Sequence, residues 1–343
     1  GFINNLAGGA INKDDPTTST IIQNISWENY GTVFIDGGTL NFEPLGAIND
    51  GIFEIGGGAT LNIVTTDFDF IGSQLINNGE ITGQPFQFGS ATTQTLSGTG
   101  IINDLTIDNG SVIILNGDQR ISTQITLING IIETGANKIT MSASASINNI
   151  TTGSYINGNL EQEYSASGNK TFYIGDSDLF TPVDVNLSIT SPVTSVLVRT
   201  DVGDAATIAN SNIDPDNSVN RTWTITNTSG TFSNADLVLN WDATDVDPTA
   251  DPLLFNVSKN DGGIWTNNIG SYYQPTAIEV FNLTSFSEFQ VGQVLAPSPG
   301  AALAFDGVDD KITLPYFNRP NEFTFEAWVK TGNVFQSAVI KWE

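Results

Sequence analysis

A strand motif that recurs every 20 to 24 residues is the feature that most constrains this fold. The segment GTLNF (38–42) returns as ATLNI (59–63), with the same apolar-polar-apolar core. Hairpins have no reason to keep one period, whereas the coils of a solenoid stack and align matching side chains. The sequence therefore predicts an all-β chain that opens with a parallel β-helix, or solenoid, over residues 1–165. The matching apolar positions are Leu40, Leu61, Ile81, Leu105, Ile125 and Ile147.

The segment LINNGEI (75–81) leaves two interpretations of its turn. Asn78 and Gly79 both tolerate φ > 0, which a type I′ hairpin requires. The same conformation can also serve a strand that bends a corner and continues in one rotational sense. The recurring period favours a corner, and an antiparallel hairpin meander is the alternative. The predicted interior positions of the clearest coils are Ile101, Ile107, Ile113, Leu115, Ile121, Leu127 and Ile131.

Composition and charge exclude several classes of function. The chain has no Cys and no His, so disulfides, Cys/His zinc sites and imidazole-based catalysis cannot be built from it. The formal net charge is −26, which disfavours nucleic acids and anionic membrane surfaces as partners. No run of 18 apolar residues occurs, so we predict no membrane span.

Residues 166–295 lose the 20-residue period. Short strands with turn signals at near-regular intervals follow, a pattern that is typical of an antiparallel β-sandwich. Large aromatic side chains dominate the packing of such folds, so we expect the three tryptophans of this region in or near the core. They are Trp223, Trp241 and Trp265. The segment APSPG (296–300) is typical of a linker.

The last segment, ALAFDGVDDKITLPYFNRPNEFTFEAWVK (302–330), resembles the opening of a laminin-G-like, concanavalin A-like jelly roll. An apolar strand leads into FDG-x-DD and is followed by FT-x-E-A-W-V-K, as in that family. The resemblance implies that residues 301–343 are only the first strands of a two-sheet fold. We therefore expect the natural protein to continue past Glu343 and to cover Phe305, Phe325 and Trp328.

The order of modules across residues 1–295 resembles the long adhesins of gliding bacteria that the type IX secretion system exports. The resemblance rests on the Asn-Gly corners, on FYIGDSDLFTPVDV (172–185) and on the tryptophan-bearing sandwich. It implies a secreted, cell-surface, non-enzymatic stalk or adhesive segment that takes part in surface attachment or gliding. The implied partners are the type IX machinery during export and an extracellular glycan or protein surface.

The alternative function is a secreted carbohydrate-active enzyme, a polysaccharide lyase or hydrolase, or its carbohydrate-binding part. A lyase needs a basic side chain and cations for the uronate, but the cations of the solenoid lie far apart in sequence: Lys13, Arg120 and Lys138. A hydrolase needs two carboxylates at a set separation. The candidates in the best coils stand beside Asn and Gly, as turn residues do, and are Asp104, Asp108, Asp118 and Glu133.

One acidic segment is a candidate metal site. NWDATDVDPTADP (240–252) places four carboxylates in a short span, and hard oxygen ligands at close spacing suit Ca²⁺. The segment lacks the Gly and the terminal Glu of an EF-hand loop, so that motif is excluded. A solvated, proline-broken acidic loop is the alternative, and no other cofactor is predicted. The candidate calcium ligands are Asp242, Asp245, Asp247 and Asp251.

Overall fold

The computed structural model of the chain describes residues 1–66, 68–267 and 269–295. Within them the fold is all-β, with 64% of residues in strands and a parallel β-solenoid of about nine turns that is followed by antiparallel sheets. The predicted fold class is thereby confirmed for this part of the chain. The APSPG linker and the jelly-roll opening over 301–343 lie outside the described residues.

The solenoid begins with fourteen short strands. Their bounds are β1 (Phe2–Asn5), β2 (Ala10–Lys13), β3 (Ser19–Gln23), β4 (Ser26–Asn29), β5 (Thr32–Ile35), β6 (Thr39–Glu43), β7 (Gly46–Asn49), β8 (Ile52–Ile55), β9 (Thr60–Ile63), β10 (Asp69–Phe70), β11 (Gln74–Asn77), β12 (Glu80–Gly83), β13 (Phe86–Phe88) and β14 (Gln94–Ser97). Two long strands that bend through the corners follow. They are β15 (Ile101–Asn116) and β16 (Gln119–Met141), after which come β17 (Ser146–Asn148) and β18 (Ile156–Tyr164).

Parallel pairing between every third strand defines three faces. Face 1 contains β1, β4, β7, β10 and β13, then residues 105–107 of β15, residues 125–127 of β16, and β17. Face 2 contains β2, β5, β8, β11 and β14, then residues 112–116 of β15, residues 131–133 of β16 and the start of β18. Face 3 contains β3, β6, β9 and β12, residues 101–102 of β15 and residues 120–121 of β16.

The Asn78–Gly79 turn is a corner, as predicted. It joins β11 of face 2 to β12 of face 3, and each of these strands pairs in parallel with strands of the neighbouring coils. The prediction of a positive φ at this turn is wrong, since neither Asn78 nor Gly79 has one. Glycine is needed there for space instead: a Cβ on Gly79 would lie 2.4 Å from the carbonyl oxygen of Ala59 in the preceding coil.

The apolar residues that were predicted to form one column belong to two columns, which lie on different faces of the solenoid. Leu61 pairs with Ile81 on face 3, and Leu105 pairs with Ile125 on face 1; all four side chains are buried and their strands are parallel, as predicted. The step from Ile81 to Leu105 is wrong, because Ile81 pairs with Ile102. The face 3 column is Leu40, Leu61, Ile81, Ile102 and Ile121, and the face 1 column is Phe86, Leu105, Ile125 and Ile147.

An offset of one residue corrects two predicted interior residues. Ile101 and Ile131 point away from the core; the interior positions beside them are Ile102 and Ile132, which are fully buried. The other predicted interior residues are buried: Ile107, Ile113, Leu115, Ile121 and Leu127. Because side chains alternate across a strand, an offset of one residue exchanges the inside for the outside.

Aromatic rings fill the first coils of the solenoid. The Trp27 and Phe42 rings meet edge to face with centroids 5.0 Å apart, and Phe53 and Phe70 meet in the same way at 6.0 Å. Such pairs add stabilisation beyond the burial of their apolar area. The rings of this core are Trp27, Phe42, Phe53, Phe68, Phe70, Phe86 and Phe88.

Buried amide side chains line the corners of the coils. Asn5 Nδ2 donates to Asn29 Oδ1 of the next coil at 2.8 Å, and Gln94 Nε2 donates to the backbone carbonyl oxygens of Phe70 and Gly72 at 3.0 and 2.7 Å. Amides satisfy the backbone groups that a turning strand leaves unpaired, and buried polar groups require such partners. This explains why a solenoid with an apolar interior is built from a sequence so rich in Asn.

The rest of the described chain forms two antiparallel sheets. The strands are β19 (Gly168–Phe172), β20 (Ile174–Gly175), β21 (Val183–Ile189), β22 (Thr194–Val202), β23 (Ile213–Ser229), β24 (Phe232–Asn240), β25 (Phe255–Asp261), β26 (Ile264–Thr266), β27 (Gly270–Gln274), β28 (Ala277–Leu283) and β29 (Glu288–Val294). Three 3₁₀ turns interrupt them: η1 (Ile208–Asn210), η2 (Ala243–Asp245) and η3 (Pro252–Leu254).

The two sheets share one apolar core. The first sheet has the order β22-β23-β29-β25-β26 and the second has the order β19-β21-β24-β28-β27. Trp223 and Trp241 are buried between the sheets as predicted, whereas Trp265 is only half-buried on the edge strand β26. The Tyr164 hydroxyl connects the sheets by donating to the carbonyl oxygen of Val185 at 2.9 Å.

β18 belongs to both parts of the fold. Residues 159–162 pair in parallel with the end of β16, and residues 160–164 pair antiparallel with β22. β20 also pairs in parallel with the start of β18, so face 2 of the solenoid extends beyond the predicted boundary at residue 165. Among the described residues, no helix has the length and apolarity to cross a membrane.

Candidate functional site

The four candidate calcium ligands each have a structural role in the 240–252 segment. Asp242 caps η2 by accepting hydrogen bonds from Thr244 N at 2.9 Å and Thr244 Oγ1 at 2.7 Å. These two bonds hold the pKa of Asp242 below its ordinary value. Asp251 caps η3 in the same way, accepting from Leu253 N at 3.0 Å. Both carboxylates therefore satisfy the free N–H groups of a helical turn.

The other two carboxylates bind to β23. Asp245 accepts from Arg221 Nε at 2.8 Å, and Asp247 accepts from Ser218 N and from Asn220 Nδ2, both at 2.8 Å. The structure thus divides the four acids between two caps and two strand contacts. Across residues 1–66, 68–267 and 269–295, it brings no three acidic side chains together in a way that could hold a metal ion.

Arg221 is the centre of a buried ionic cluster that the sequence analysis missed. Its side chain is fully buried and donates to Asp245, to Asp176 Oδ2 at 2.6 Å and to Thr200 Oγ1 at 3.0 Å. Burial lowers the pKa of Arg221, but the two carboxylates outweigh that effect and raise it. A signal was present in the sequence: Arg221 interrupts the inward alternation of Val219, Trp223 and Ile225.

Asp176 connects this cluster to the end of the solenoid. It follows β20, and its Oδ1 accepts from the backbone N–H groups of Asp178 and Leu179 at 2.8 and 2.9 Å. Burial raises the pKa of Asp176, but these hydrogen bonds and the Arg221 guanidinium outweigh burial and lower it. The cluster therefore holds three segments in place: the turn after β20, strand β23 and the 3₁₀ turn η2.

The carboxylates considered for hydrolysis lie on different parts of the solenoid. Asp104 and Asp108 lie at opposite ends of the face 1 segment of β15, and burial raises the pKa of Asp104. Asp118 lies at the corner between faces 2 and 3 and accepts from Lys138 N at 3.0 Å. Glu133 lies on face 2. Their positions on the coils serve corners and outer faces, which agrees with the turn-residue interpretation.

The cations of the solenoid all have partners. Arg120 forms a bidentate pair with Glu163 at 2.8 and 2.7 Å, and Lys138 Nζ lies 2.6 Å from Glu161 Oε2. Lys13 Nζ donates to the carbonyl oxygen of Gly37 at 2.9 Å. The Lys13 and Lys138 contacts connect neighbouring coils, and Arg120 reaches past one coil to Glu163. None of the three cations is therefore free to neutralise a uronate substrate.

A cleft of about 560 Å³ opens at one end of the two-sheet region. It is lined by the end of β23, by the turn between β25 and β26 and by the 284–287 loop before β29. Thr224, Glu288 and Asn260 lie in register across three adjacent strands, which places them in one row. Asn260 Nδ2 donates to Glu288 Oε1 at 2.9 Å, and this hydrogen bond fixes the position of the carboxylate within the row.

Two aromatic rings form one wall of the cleft. Phe232 and Phe286 stack with centroids 4.7 Å apart and an interplanar angle of 29°, and both rings are half-buried. The nearby Lys259 ammonium does not line the cleft; it is bound by Ser285 Oγ at 2.5 Å and by Asp261 Oδ1 at 3.0 Å. The sequence analysis missed this cleft because its residues come from three strands that are distant in the chain.

The fold and these sites define a class: a three-faced parallel β-solenoid whose last strand continues into an antiparallel two-sheet region. Comparisons with protein-family models, with curated proteins and with solved structures find no match to this chain.

Proposed function

We propose that this chain is a non-enzymatic stalk and adhesive segment of a large, secreted cell-surface protein that the type IX secretion machinery exports. The observation that carries the proposal is the double role of β18. One edge of this strand pairs with the solenoid and the other edge pairs with β22. Tension on the chain is therefore carried from one region to the other through backbone hydrogen bonds within a single sheet, which suits a spacer between a cell and its target.

Side chains reinforce the same junction. Glu161 of β18 accepts hydrogen bonds from Thr140 Oγ1 at 2.9 Å and from Thr228 Oγ1, and it pairs with Lys138. Glu161 thus connects β16 of the solenoid to β23 of the two-sheet region. Glu161 and the buried Arg221 cluster therefore hold the junction by polar contacts, one on each side of the shared sheet.

The composition supports a non-enzymatic role. The chain lacks the imidazole and thiol groups that serve most often as catalytic bases and nucleophiles. The carboxylates and cations weighed above are used in caps, corners and ion pairs. A surface with a net charge of −26 also suits a protein that stays extended and does not self-associate.

Surface labelling of the organism that encodes the chain tests the proposal. Antibodies raised against the purified chain should label intact cells, and mild protease treatment of those cells should remove the signal. Deletion of the type IX translocon should abolish surface labelling and retain the protein inside. A cytosolic protein is the control for lysis. Labelling only after permeabilisation of wild-type cells would contradict the proposal.

A further inference from the structure

We propose that the cleft between β23, the β25–β26 turn and the 284–287 loop binds a short, uncharged oligosaccharide. This inference rests on the proposed function, because it names the class of ligand that the adhesive segment contacts. It makes this end of the two-sheet region the glycan-contacting part of the described chain.

The size and wall of the cleft fit a few sugar rings. Its volume of about 560 Å³ lies within the range of about 300–1,000 Å³ that is typical of small-molecule sites. The stacked Phe232–Phe286 pair gives the cleft an apolar wall against which the C–H groups of a pyranose ring can pack. Both phenylalanines also pack against the hydrophobic core, so the wall is fixed before a ligand arrives.

The polar groups of the cleft match hydroxyl groups. Seven of its twelve lining residues carry a hydroxyl or an amide, which can both donate and accept, as sugar hydroxyls do. Asn227 Nδ2 donates to Gly230 O at 3.0 Å. The Asn227 Oδ1 atom accepts no hydrogen bond from the part of the chain that the structure describes. Glu288 Oε1 is oriented by Asn260, which presents the carboxylate as an acceptor for a pair of hydroxyls.

The charge of the cleft selects against acidic sugars. Glu288 is the one charged residue among those described that line it, and the neighbouring Lys259 is already paired with Asp261. A uronate or a sulfated sugar would place a like charge beside Glu288 without a cation to balance it. The charge of the cleft therefore excludes an anionic ligand, and the surrounding surface of net negative charge strengthens this exclusion. The choice of a neutral ligand rests on the lining itself, because hydroxyl and amide groups match uncharged sugar hydroxyls.

Saturation-transfer NMR and calorimetry on the full 343-residue chain test this proposal. The neutral probes are cellotriose, maltotriose, laminaritriose and tri-N-acetylchitotriose; trigalacturonate is the anionic probe and the glucosamine trimer is the cationic probe. At least one neutral trisaccharide should bind with a Kd of about 1 mM or tighter. Trigalacturonate should bind at least tenfold more weakly than that trisaccharide.

Matched variants locate the site. Thr226→Trp fills the cleft from an exposed position of β23 and should weaken binding at least tenfold, whereas Ser188→Trp, on an exposed position of β21, should not change it. Asn227→Ala should weaken binding about three- to tenfold, the effect of one lost hydrogen bond, and Asn186→Ala should leave it unchanged. Far-ultraviolet circular dichroism confirms the fold of each variant.

Three outcomes overturn the inference: no neutral trisaccharide binds, Thr226→Trp binds as well as Ser188→Trp does, or a charged trimer binds best. A lack of sugar binding by a chain that still labels intact cells rejects this inference alone. Sugar binding by a chain that never reaches the cell surface rejects the proposed function alone.

Discussion

Gly51 lies directly against the carbonyl group of Gly31 in the preceding coil. A Cβ on Gly51 would sit 1.9 Å from the Gly31 oxygen, and a Cβ on Gly72 would sit 1.9 Å from the Gly51 oxygen. The corner between faces 1 and 2 is therefore a stack of glycines whose backbones approach too closely for any side chain. The obstructing atoms belong to the backbone, so they cannot move aside as a flexible side chain does.

Gly51→Ala should destabilise the solenoid by about 1–3 kcal/mol, the usual cost of overpacking. Gly46→Ala is the matched control, because no atom lies within 4 Å of a Cβ at that position and its φ is not positive. That control should be neutral or slightly stabilising, since alanine restricts the unfolded chain. Urea unfolding followed by circular dichroism measures both; equal stability of the two variants would show that the corner can expand.

Leu105→Ala should lower the free energy of unfolding by about 2–5 kcal/mol, because a fully buried leucine leaves a cavity between stacked coils. Ile101→Ala, on the same strand, is the control for register. The Ile101 side chain is 37% exposed, so its truncation should cost about 1 kcal/mol or less. A larger loss in the free energy of unfolding for Ile101→Ala than for Leu105→Ala would show that Ile101, and not Leu105, faces the interior.

The period of the solenoid could be predicted from the sequence, but its register could not. Each coil repeats an apolar-polar-apolar strand on three faces, so Ile81 has plausible partners at both Ile102 and Leu105. Only the lengths of the corners decide between them, and those lengths vary from coil to coil. The need for glycine at Gly79 was predictable, whereas its cause, contact with the coil below, depends on atoms about 20 residues away.

The sites were harder to predict than the fold, because sequence proximity does not report spatial proximity. The four acids of the 240–252 segment are close in sequence, yet caps and strand contacts separate their functions. Conversely, Arg221 and Asp176 are 45 residues apart and meet in the core. The Phe232–Phe286 wall likewise joins the start of β24 to the 284–287 loop, which the alternating pattern does not place side by side.

Arg221→Met should destabilise the chain by about 3–5 kcal/mol, since it leaves the carboxylates of Asp176 and Asp245 in the interior without their cation. Arg199→Met is the control. Arg199 pairs with Asp201 at 2.6 Å, but both side chains are more than two-fifths exposed, so the loss should be about 0–1 kcal/mol. Thermal unfolding at neutral pH measures the difference. Equal losses would mean that the buried cluster contributes no more than a surface ion pair does.

Acid should weaken the junction between the solenoid and the two-sheet region. Burial raises the pKa of Glu161, but hydrogen bonds from Lys138, Thr228 and Thr140 outweigh burial and hold it below the ordinary value of 4.5. A carboxylate whose pKa is lower in the folded state stabilises that state above its unfolded pKa. This stabilisation is lost as the pH falls from about 4.5 through the lowered value of the folded state.

Glu161→Gln should therefore destabilise the chain at pH 7 and flatten the fall in its stability below pH 4.5. Asp104→Asn should act with the opposite sign: burial raises the pKa of Asp104, so the folded state disfavours its charge, and removal of that charge should stabilise the chain at pH 7. Urea midpoints at pH 7 and between pH 3 and 5 measure both variants against the unmodified chain. If Glu161→Gln keeps the full acid dependence, the hydrogen bonds from Lys138, Thr228 and Thr140 do not govern the stability of the junction, and other carboxylates, such as Asp176 beside Arg221, must carry it.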